Sequence, residues 1–457
     1  MSFFIKGKTK NSNNKRTKNN NQGKNNKKRK LPEPEDEEIT SSEDEGITLN
    51  GEKDTSDSED ENETAQDKKL RLAKIYLQEI ERLEKEKLGE EDEVDKNLIS
   101  KRLKEDYLKE SGKFRSYVAN EYTPEKLGTI QTFKCREQKN TITCLCVSSD
   151  NQYIFSGSKD GVIVKWNCLQ GKKVGIIPFV KHNKDVILGH SSKVLAIAIS
   201  SDDKYLVIGE ESSDIQIWDP ENLKHIKTFR GHSKGITGVA FKKNSHILYS
   251  CSMDKSVKVW NLDEMMYVET LFGHQDKVSS LDTLYKDRVV TSGSRDGTLR
   301  IWKITEESQL IFNGHSGNID IVKLINEEYF ISGGEDGQLC LWSFMKKKPV
   351  YTIKDAHGIN EINNQPNWIC SIATLVNADL FASGSYNGFI KLWKLGENFR
   401  SAQLLFDIPQ IGFINSMVFT SDRKNLIVSC GRDHRLGRWF TNKDVKNCIK
   451  FIPLLEQ

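Results

Sequence analysis

An all-β ring of seven blades, a β-propeller, is the fold this sequence predicts, and two observations predict it. The first is a series of seven tryptophans, Trp166, Trp218, Trp260, Trp302, Trp342, Trp393 and Trp439, at spacings of 52, 42, 42, 40, 51 and 46 residues. The second is that each closes a similar stretch. It is clearest at residues 273–302, GHQDKVSSLDTLYKDRVVTSGSRDGTLRIW, with a Gly-His pair, three short alternating apolar runs and an S-G-S-R-D-G turn. One such stretch cannot fold alone, because a few strand-length segments have nothing to bury their apolar face against.

A period near 40–45 residues, with Gly-His early and a Trp-ended strand late, is the WD40 pattern. Three elements are expected in chain order. Residues 1–65 read as a disordered tail, too poor in apolar side chains to offset ordering entropy. Residues 1–30 carry eleven Lys or Arg and no acid, whereas residues 31–63 carry fifteen Asp or Glu and one base, Lys53. Two dense basic clusters, Lys15, Arg16 and Lys18, then Lys27, Lys28, Arg29 and Lys30, read as a bipartite nuclear localisation signal. Ser41, Ser42, Ser56 and Ser58, each followed by an acid three residues on, have the pattern of acidophilic-kinase sites.

Residues 66–127 form the second element, a charged helical arm. Leu72, Tyr76, Ile80 and Leu83 recur at helical steps, and so do Val94, Leu98, Leu103 and Tyr107 after a break at Gly89. The third element is the propeller, residues 128–457. Residues 128–135, GTIQTFKC, are expected to close the ring as the outermost strand of the last blade. Residues 447–452, NCIKFI, compete for that place.

Each regular blade is expected to hold a buried tetrad: the His of Gly-His, a Ser ten residues before the Trp, an Asp six before it, and the Trp. The sets are His232, Ser250, Asp254 and Trp260; His274, Ser292, Asp296 and Trp302; and His315, Ser332, Asp336 and Trp342. A half-buried indole needs an acceptor for its N–H, and a satisfied polar network holds one geometry. Ser, His and Asp repeating at fixed distances from a Trp are a fold requirement, not a catalytic triad. Blade 2 has Ile208 and Ser212 at the Ser and Asp positions, so its network is expected to be broken. Blade 6 has His357, Ser383, Asn387 and Trp393; blade 7 has Ser429, Asp433 and Trp439 without the His.

The nine cysteines contain no C-x-x-C pair and fall mostly in expected strands, which suits buried free thiols in a reducing compartment. No stretch is long and apolar enough for a signal peptide or a membrane span. No phosphate-binding Gly loop, metal-ligand spacing or isolated acid–base pair appears, so no enzyme, cofactor or metal is expected. Basic residues from three places are expected to edge one surface where blades 1 and 7 meet. These are Lys159 in blade 1, Arg432, His434 and Arg435 in blade 7, and Lys172, Lys173, Lys181 and Lys184 in the connection after blade 1. Such a group suits phosphate contacts.

Several stretches outside the generic repeat carry a closer likeness. They include KKLRLAKIYLQEI at 68–80, YVETLFGHQDKV at 267–278, SRDGTLRIWKITEESQLIFNGHSGNID at 294–320, DIPQIGFINS at 407–416 and HRLGRWF at 434–440. In these the chain resembles the WD-repeat proteins specific to the U3 small nucleolar ribonucleoprotein. The resemblance implies a non-enzymatic, nucleolar protein that binds the box B/C region of U3 small nucleolar RNA together with a kink-turn-binding protein. It also implies a place in the small-subunit processome, supporting the cleavages that release the 18S rRNA precursor. The alternative is a scaffold for protein partners, such as a ubiquitin-ligase substrate receptor or a histone-binding propeller. The only Trp-Asp pair, Trp218-Asp219, is followed by Pro220 and Glu221 and so lacks the ligase-adaptor pattern.

Overall fold

The computed structural model describes residues 115–180, 189–360, 363–437 and 441–455, with scattered helical positions between 71 and 108. The expected tail, with its candidate import signal and acidic serines, lies outside the described residues. Of the expected arm, residues 74–78 and 102–104 are helical. The chain divides into two units, residues 1–78 and 79–457, and the propeller lies in the second.

Seven four-stranded antiparallel sheets make up the propeller. In blade 1 the strands run outward from the axis as Ile142–Val147, Tyr153–Ser158, Ile163–Asn167 and Lys173–Ile177. Each innermost strand packs on the next around the ring, and that of blade 7 packs on that of blade 1. Both faces of each sheet are covered by neighbouring blades, so the second strands read as nearly continuous apolar or small runs. Arg288–Gly293 is buried at every position after its first. The core is therefore a set of inter-blade layers, such as Tyr249, Cys251 and Val259 of blade 3 against Val278, Leu281 and Trp302 of blade 4. Eight of the nine cysteines are buried free thiols and Cys135 is half-buried.

Blade 7 is assembled from both ends of the chain. Its order is Gln131–Phe133, Cys448–Pro453, Asn425–Gly431 and Phe413–Phe419 from the outside in. The N-terminal strand closes the ring as the sequence suggests. Its competitor is not displaced, however, but forms the third strand of the same blade. This corrects the expected seventh repeat, because Phe451 takes the Trp site; Trp439 lies outside the described residues. Phe451 stands opposite Ile427 in the register that Trp260 takes opposite Leu248. Phe451 stacks on Phe133 at 6.0 Å, and Phe133 stacks in turn on Trp166 at 5.8 Å. The physical reason lies in the residues: CIKFIP carries one charge and buries Cys448, Ile449, Phe451 and Ile452, whereas RDHRLGRWF would carry four charged side chains into a sheet. Residues 432–447 are instead a long insertion between the second and third strands.

A second correction concerns the arm boundary, because residues 115–127 belong to the propeller. They form two 3-10 turns, Ala119–Glu121 and Pro124–Lys126, rather than a continued α-helix. The Arg115 guanidinium donates to the carbonyls of Leu395 (2.8 Å) and Gly396 (3.1 Å). Asp379 Oδ1 accepts from the N–H groups of Val118 and Ala119 at 2.8 and 3.0 Å. Ala119 and Tyr122 are buried in the core shared by blades 6 and 7, so this strap fastens the two blades before the chain enters its closing strand.

Around the axis, six of the seven innermost strands are bulged by one residue: Thr143, Leu195, Thr237, Ser279, Asp320 and Asn415. A bulge re-aims the extra residue away from the ladder. Four of these side chains use the freedom to donate to a carbonyl of the next blade. Thr143 reaches Val194 O (2.7 Å), Thr237 Val278 O (2.5 Å), Ser279 Ile319 O (2.6 Å) and Asn415 Ile142 O (3.1 Å). The Asn415 bond joins blade 7 to blade 1.

Candidate nucleic-acid interface

The tetrads account for the buried histidines of blades 2 to 6 and their partners before any site is sought. In blade 3, Trp260 donates to Ser250 Oγ at 2.9 Å, while His232 bridges Ser250 (2.8 Å) and Asp254 (2.9 Å). Blade 5 repeats this with Trp342, Ser332, His315 and Asp336. Blade 4 differs from the expectation in one member. Thr291, not Ser292, accepts from Trp302 (2.9 Å) and meets His274 (2.8 Å). The turn of blade 4 is one residue longer, so the tryptophan lies eleven positions beyond its acceptor. Ser292 bonds to Ser279 at 2.9 Å instead.

Blade 2 is not broken, contrary to expectation. Trp218 donates to Gln216 (3.0 Å), Gln216 to Glu210 (2.5 Å), and Glu210 meets His190 (2.7 Å). A different pair of residues rebuilds the relay. In blade 1, Gln138 takes the place of the missing His: its Oε1 accepts from Ser156 Oγ at 3.2 Å, and Ser156 Oγ accepts from Trp166 at 2.9 Å. Blade 6 completes its set with Asn387 at 3.2 Å from His357.

The two histidines of blades 5 and 6 differ in charge state. In blade 5 burial disfavours the imidazolium, but bonding to Asp336 and Cys340 outweighs it and His315 is raised to about 9. In blade 6 burial and the charge of Lys391 act against an amide that cannot compensate, and His357 is lowered to about 4. These groups hold the blades together, and nothing in their placement exposes a nucleophile.

The basic group expected at the meeting of blades 1 and 7 is rearranged by the structure. Lys159 is 6% exposed, and its ammonium donates to Asp433 Oδ2 (3.2 Å), His434 O (2.6 Å) and Gly437 O (2.9 Å). His434 is 4% exposed, and burial with the charges of Arg435 and Lys159 lowers it to about 3, so it is neutral at physiological pH. Arg435 is 9% exposed and reaches across the axis to Ser279 O (2.7 Å) and Asp320 O (3.3 Å). These three residues are the inner support of the blade 7 insertion and do not present a cationic surface. Lys172 is exposed, but it lies in the hairpin at the opposite end of blade 1 from Lys159. Lys173 is on the outermost strand and is paired with Glu137 at 2.6 Å. Lys181 and Lys184 fall outside the described residues. Of the expected group, Arg432 alone is exposed on the insertion, its Nε donating to Val445 O at 2.7 Å.

Other basic residues take up the seam. The loop between Gln131–Phe133 and blade 1 carries exposed Lys134, Arg136 and Lys139, and the insertion carries exposed Arg432, Lys443 and Lys446. Asn447 stitches the two segments together. Its amide donates to Lys139 O at 2.7 Å, and its Oδ1 accepts from the Arg432 N–H at 3.0 Å. Glu137 and Asp444 are the exposed acids of these two segments. The sequence could have revealed this group only if Cys448–Pro453 had been read as the third strand, which turns residues 432–447 into a surface insertion beside residues 134–140. Half-buried Trp368 and Tyr386 meet edge to face at 5.9 Å in blade 6, and Tyr386 stacks on Phe413 of blade 7 at 5.5 Å.

Comparison with known proteins agrees with the repeat fold and narrows the family. The WD domain, G-beta repeat family matches residues 128–167, 182–219, 223–261, 266–303, 306–343 and 348–394. The chain is 48% identical over 395 residues to U3 small nucleolar RNA-interacting protein 2 of Homo sapiens, covering 86% of this chain and 82% of that protein. The chain belongs to the WD-repeat family associated with the U3 small nucleolar ribonucleoprotein. Ribosomal RNA-processing protein 9 of Saccharomyces cerevisiae is a more distant relative, 26% identical over 534 residues, with 89% of this chain and 93% of that one covered. A solved structure of U3-55K superposes with a TM-score of 0.69 at 46% identity, covering 73% of this chain and 99% of that chain. A crystal structure of RRP9 WD40 repeats gives the same score at 47% identity with the same coverage. The six matched repeats end at residue 394, short of the three inner strands of blade 7 and Phe451, while its outermost strand Gln131–Phe133 falls within the first of them.

Proposed function

We propose that the chain is a non-enzymatic subunit of the U3 small nucleolar ribonucleoprotein. In this reading it binds the box B/C region of U3 RNA beside a kink-turn-binding protein and supports release of the 18S rRNA precursor within the small-subunit processome, in the nucleolus. The observation that carries this reading is the 48% identity, spread over 86% of the chain, to a protein named for interaction with U3 small nucleolar RNA. The surface that suits the role is the seam formed by Lys134, Arg136, Lys139, Arg432, Lys443 and Lys446. Flexible cations on two stitched segments favour phosphate contacts, which supply affinity without reading sequence. Specificity then comes from the fold of the RNA and its bound protein. The test is immunoprecipitation of the full chain followed by sequencing of the bound RNA. Enrichment of U3 supports the reading; enrichment of ubiquitin-ligase or histone partners with no U3 overturns it.

A further inference from the structure

Beside the axis a cavity of about 230 Å³ is lined by Lys159, Lys193, Glu211 and Arg435, with Leu195 and Met253. Arg435 also lines a second cavity of about 120 Å³ in the axis itself. The three cations are not equivalent. Lys159 pairs with Asp433 at 3.2 Å and Lys193 with Glu211 at 2.7 Å, but among the described residues no ion pair includes Arg435. Its two hydrogen bonds go to neutral main-chain carbonyls, and its Nε–H is buried with no acceptor among the described residues. A guanidinium keeps its proton in proteins, so the charge persists. Asp320 shares the axis, and burial raises its carboxyl to about 6 while the charges of Arg435 and Lys277 oppose the rise, so at neutral pH it offsets part of the Arg435 charge without closing to an ion pair. The lining still sets three cations against one carboxylate, and a buried cation that is only partly compensated favours an added anion.

We infer that this channel mouth binds a phosphate-sized oxyanion, held by Arg435 and by Lys193 at the rim. Arg435 supplies the fixed donor, since its fork matches phosphate geometry. Lys193, at 42% side-chain exposure, can swing from Glu211 to the ion. Two sources present this chemistry, free phosphate and the terminal phosphate of an RNA. The site is separate from the blade 7 seam and goes beyond the reading proposed above.

The experiment titrates the full chain with inorganic phosphate, by calorimetry and by thermal unfolding, against chloride at equal ionic strength. A saturable rise in Tm specific to phosphate is expected. Lys193→Gln, which changes an exposed side chain and should fold normally, should weaken phosphate binding on the order of tenfold, and Glu211→Gln should tighten it. Lys139→Glu on the seam should leave it unchanged, which keeps failure here distinct from failure of the RNA reading. Displacement of phosphate by a 5′-phosphorylated RNA but not by its hydroxyl form identifies the RNA end as the occupant; no displacement by either identifies the free ion. Absence of a phosphate-specific response, or equal affinity in wild type and Lys193→Gln, overturns the site.

Discussion

The guanidinium of Arg435 donates to the main-chain carbonyl of Ser279 at 2.7 Å, spanning 156 residues of sequence and the axis of the ring. Blade 7 is thereby tied to blade 4 as well as to its neighbours. Arg435→Glu should therefore destabilise the fold, because it places a carboxylate against two carbonyl oxygens in a buried site. A loss on the order of 3–5 kcal/mol is expected for breaking such a buried charged interaction. Urea unfolding measures it, and a loss below roughly 0.5 kcal/mol, the range of ordinary surface changes, would remove Arg435 from the structural core.

The tetrad of blade 4 gives a sharper test. Thr291→Val keeps the shape but leaves the Trp302 indole N–H and His274 without their common partner. About 1–3 kcal/mol is expected from two buried groups losing one hydroxyl. Ser292→Ala should cost less, since Ser292 serves neither of them. Trp302→Ala should cost about 3–5 kcal/mol. Denaturant midpoints for the three variants settle the order, and an equal effect of Thr291→Val and Ser292→Ala contradicts the assignment.

Blade 6 should be a source of acid sensitivity. His357 titrates near its ordinary value of 6.5 when unfolded and near about 4 when folded. The unfolded chain therefore takes up the proton first. The stability from keeping His357 neutral is present above about 6.5 and is lost as pH falls from there to about 4. His315 runs the other way: raised to about 9, its contribution is full below 6.5 and is lost as pH rises through about 9. Asn387→Asp should give His357 a carboxylate partner and reduce the loss between pH 6.5 and 4. An unchanged pH profile of unfolding in that variant would mean that Asn387 does not set the charge of His357.

Binding to RNA should follow the seam. Lys139→Glu combined with Lys446→Glu is expected to weaken association with U3 RNA in the presence of the kink-turn protein and to flatten its salt dependence. For every phosphate no longer neutralised, the slope of log K against log salt should fall in magnitude by about 0.7–0.9. Arg432→Glu should add to the effect while leaving thermal stability nearly intact. Titrations at several salt concentrations are the measurement; equal slopes for wild type and double variant would move the RNA surface away from blade 7.

Import should depend on residues 1–30, which hold eleven basic residues, seven of them in two dense clusters, and no acid. A fluorescent fusion lacking them is expected to lose nucleolar accumulation. Retained accumulation would show that entry rests on another segment or on a partner.

The ring and its blades were legible because each blade repeats one solution to the same burial problem, and a Trp at 40- to 52-residue intervals survives in six blades. The departures were illegible for local reasons. Glu210 and Gln216 rebuild the blade 2 relay from positions that no spacing rule marks. A longer turn moved the acceptor of Trp302 from Ser292 to Thr291. Trp439 keeps the period, yet Phe451 takes the site, because the strand that pairs there is Cys448–Pro453. The basic cluster suffered most. Sequence counts charges, but burial decides which of them face water, and it took Lys159, His434 and Arg435 inside.

The seventh blade also constrains the order of events in synthesis. Phe133 pairs with Ile449, so the ring cannot seal until Cys448–Pro453 has emerged from the ribosome, long after the other blades have been made. Pairings between such distant segments form slowly, since the intervening loop must be closed first. Until then the facing sides of blades 1 and 6 stand open, with apolar residues such as Ile142 and Ile390 uncovered, and the nascent chain is vulnerable to aggregation. The stitch between Asn447 and Lys139 does not exist in a chain cut short before blade 7. A truncated translation product therefore cannot assemble the basic seam.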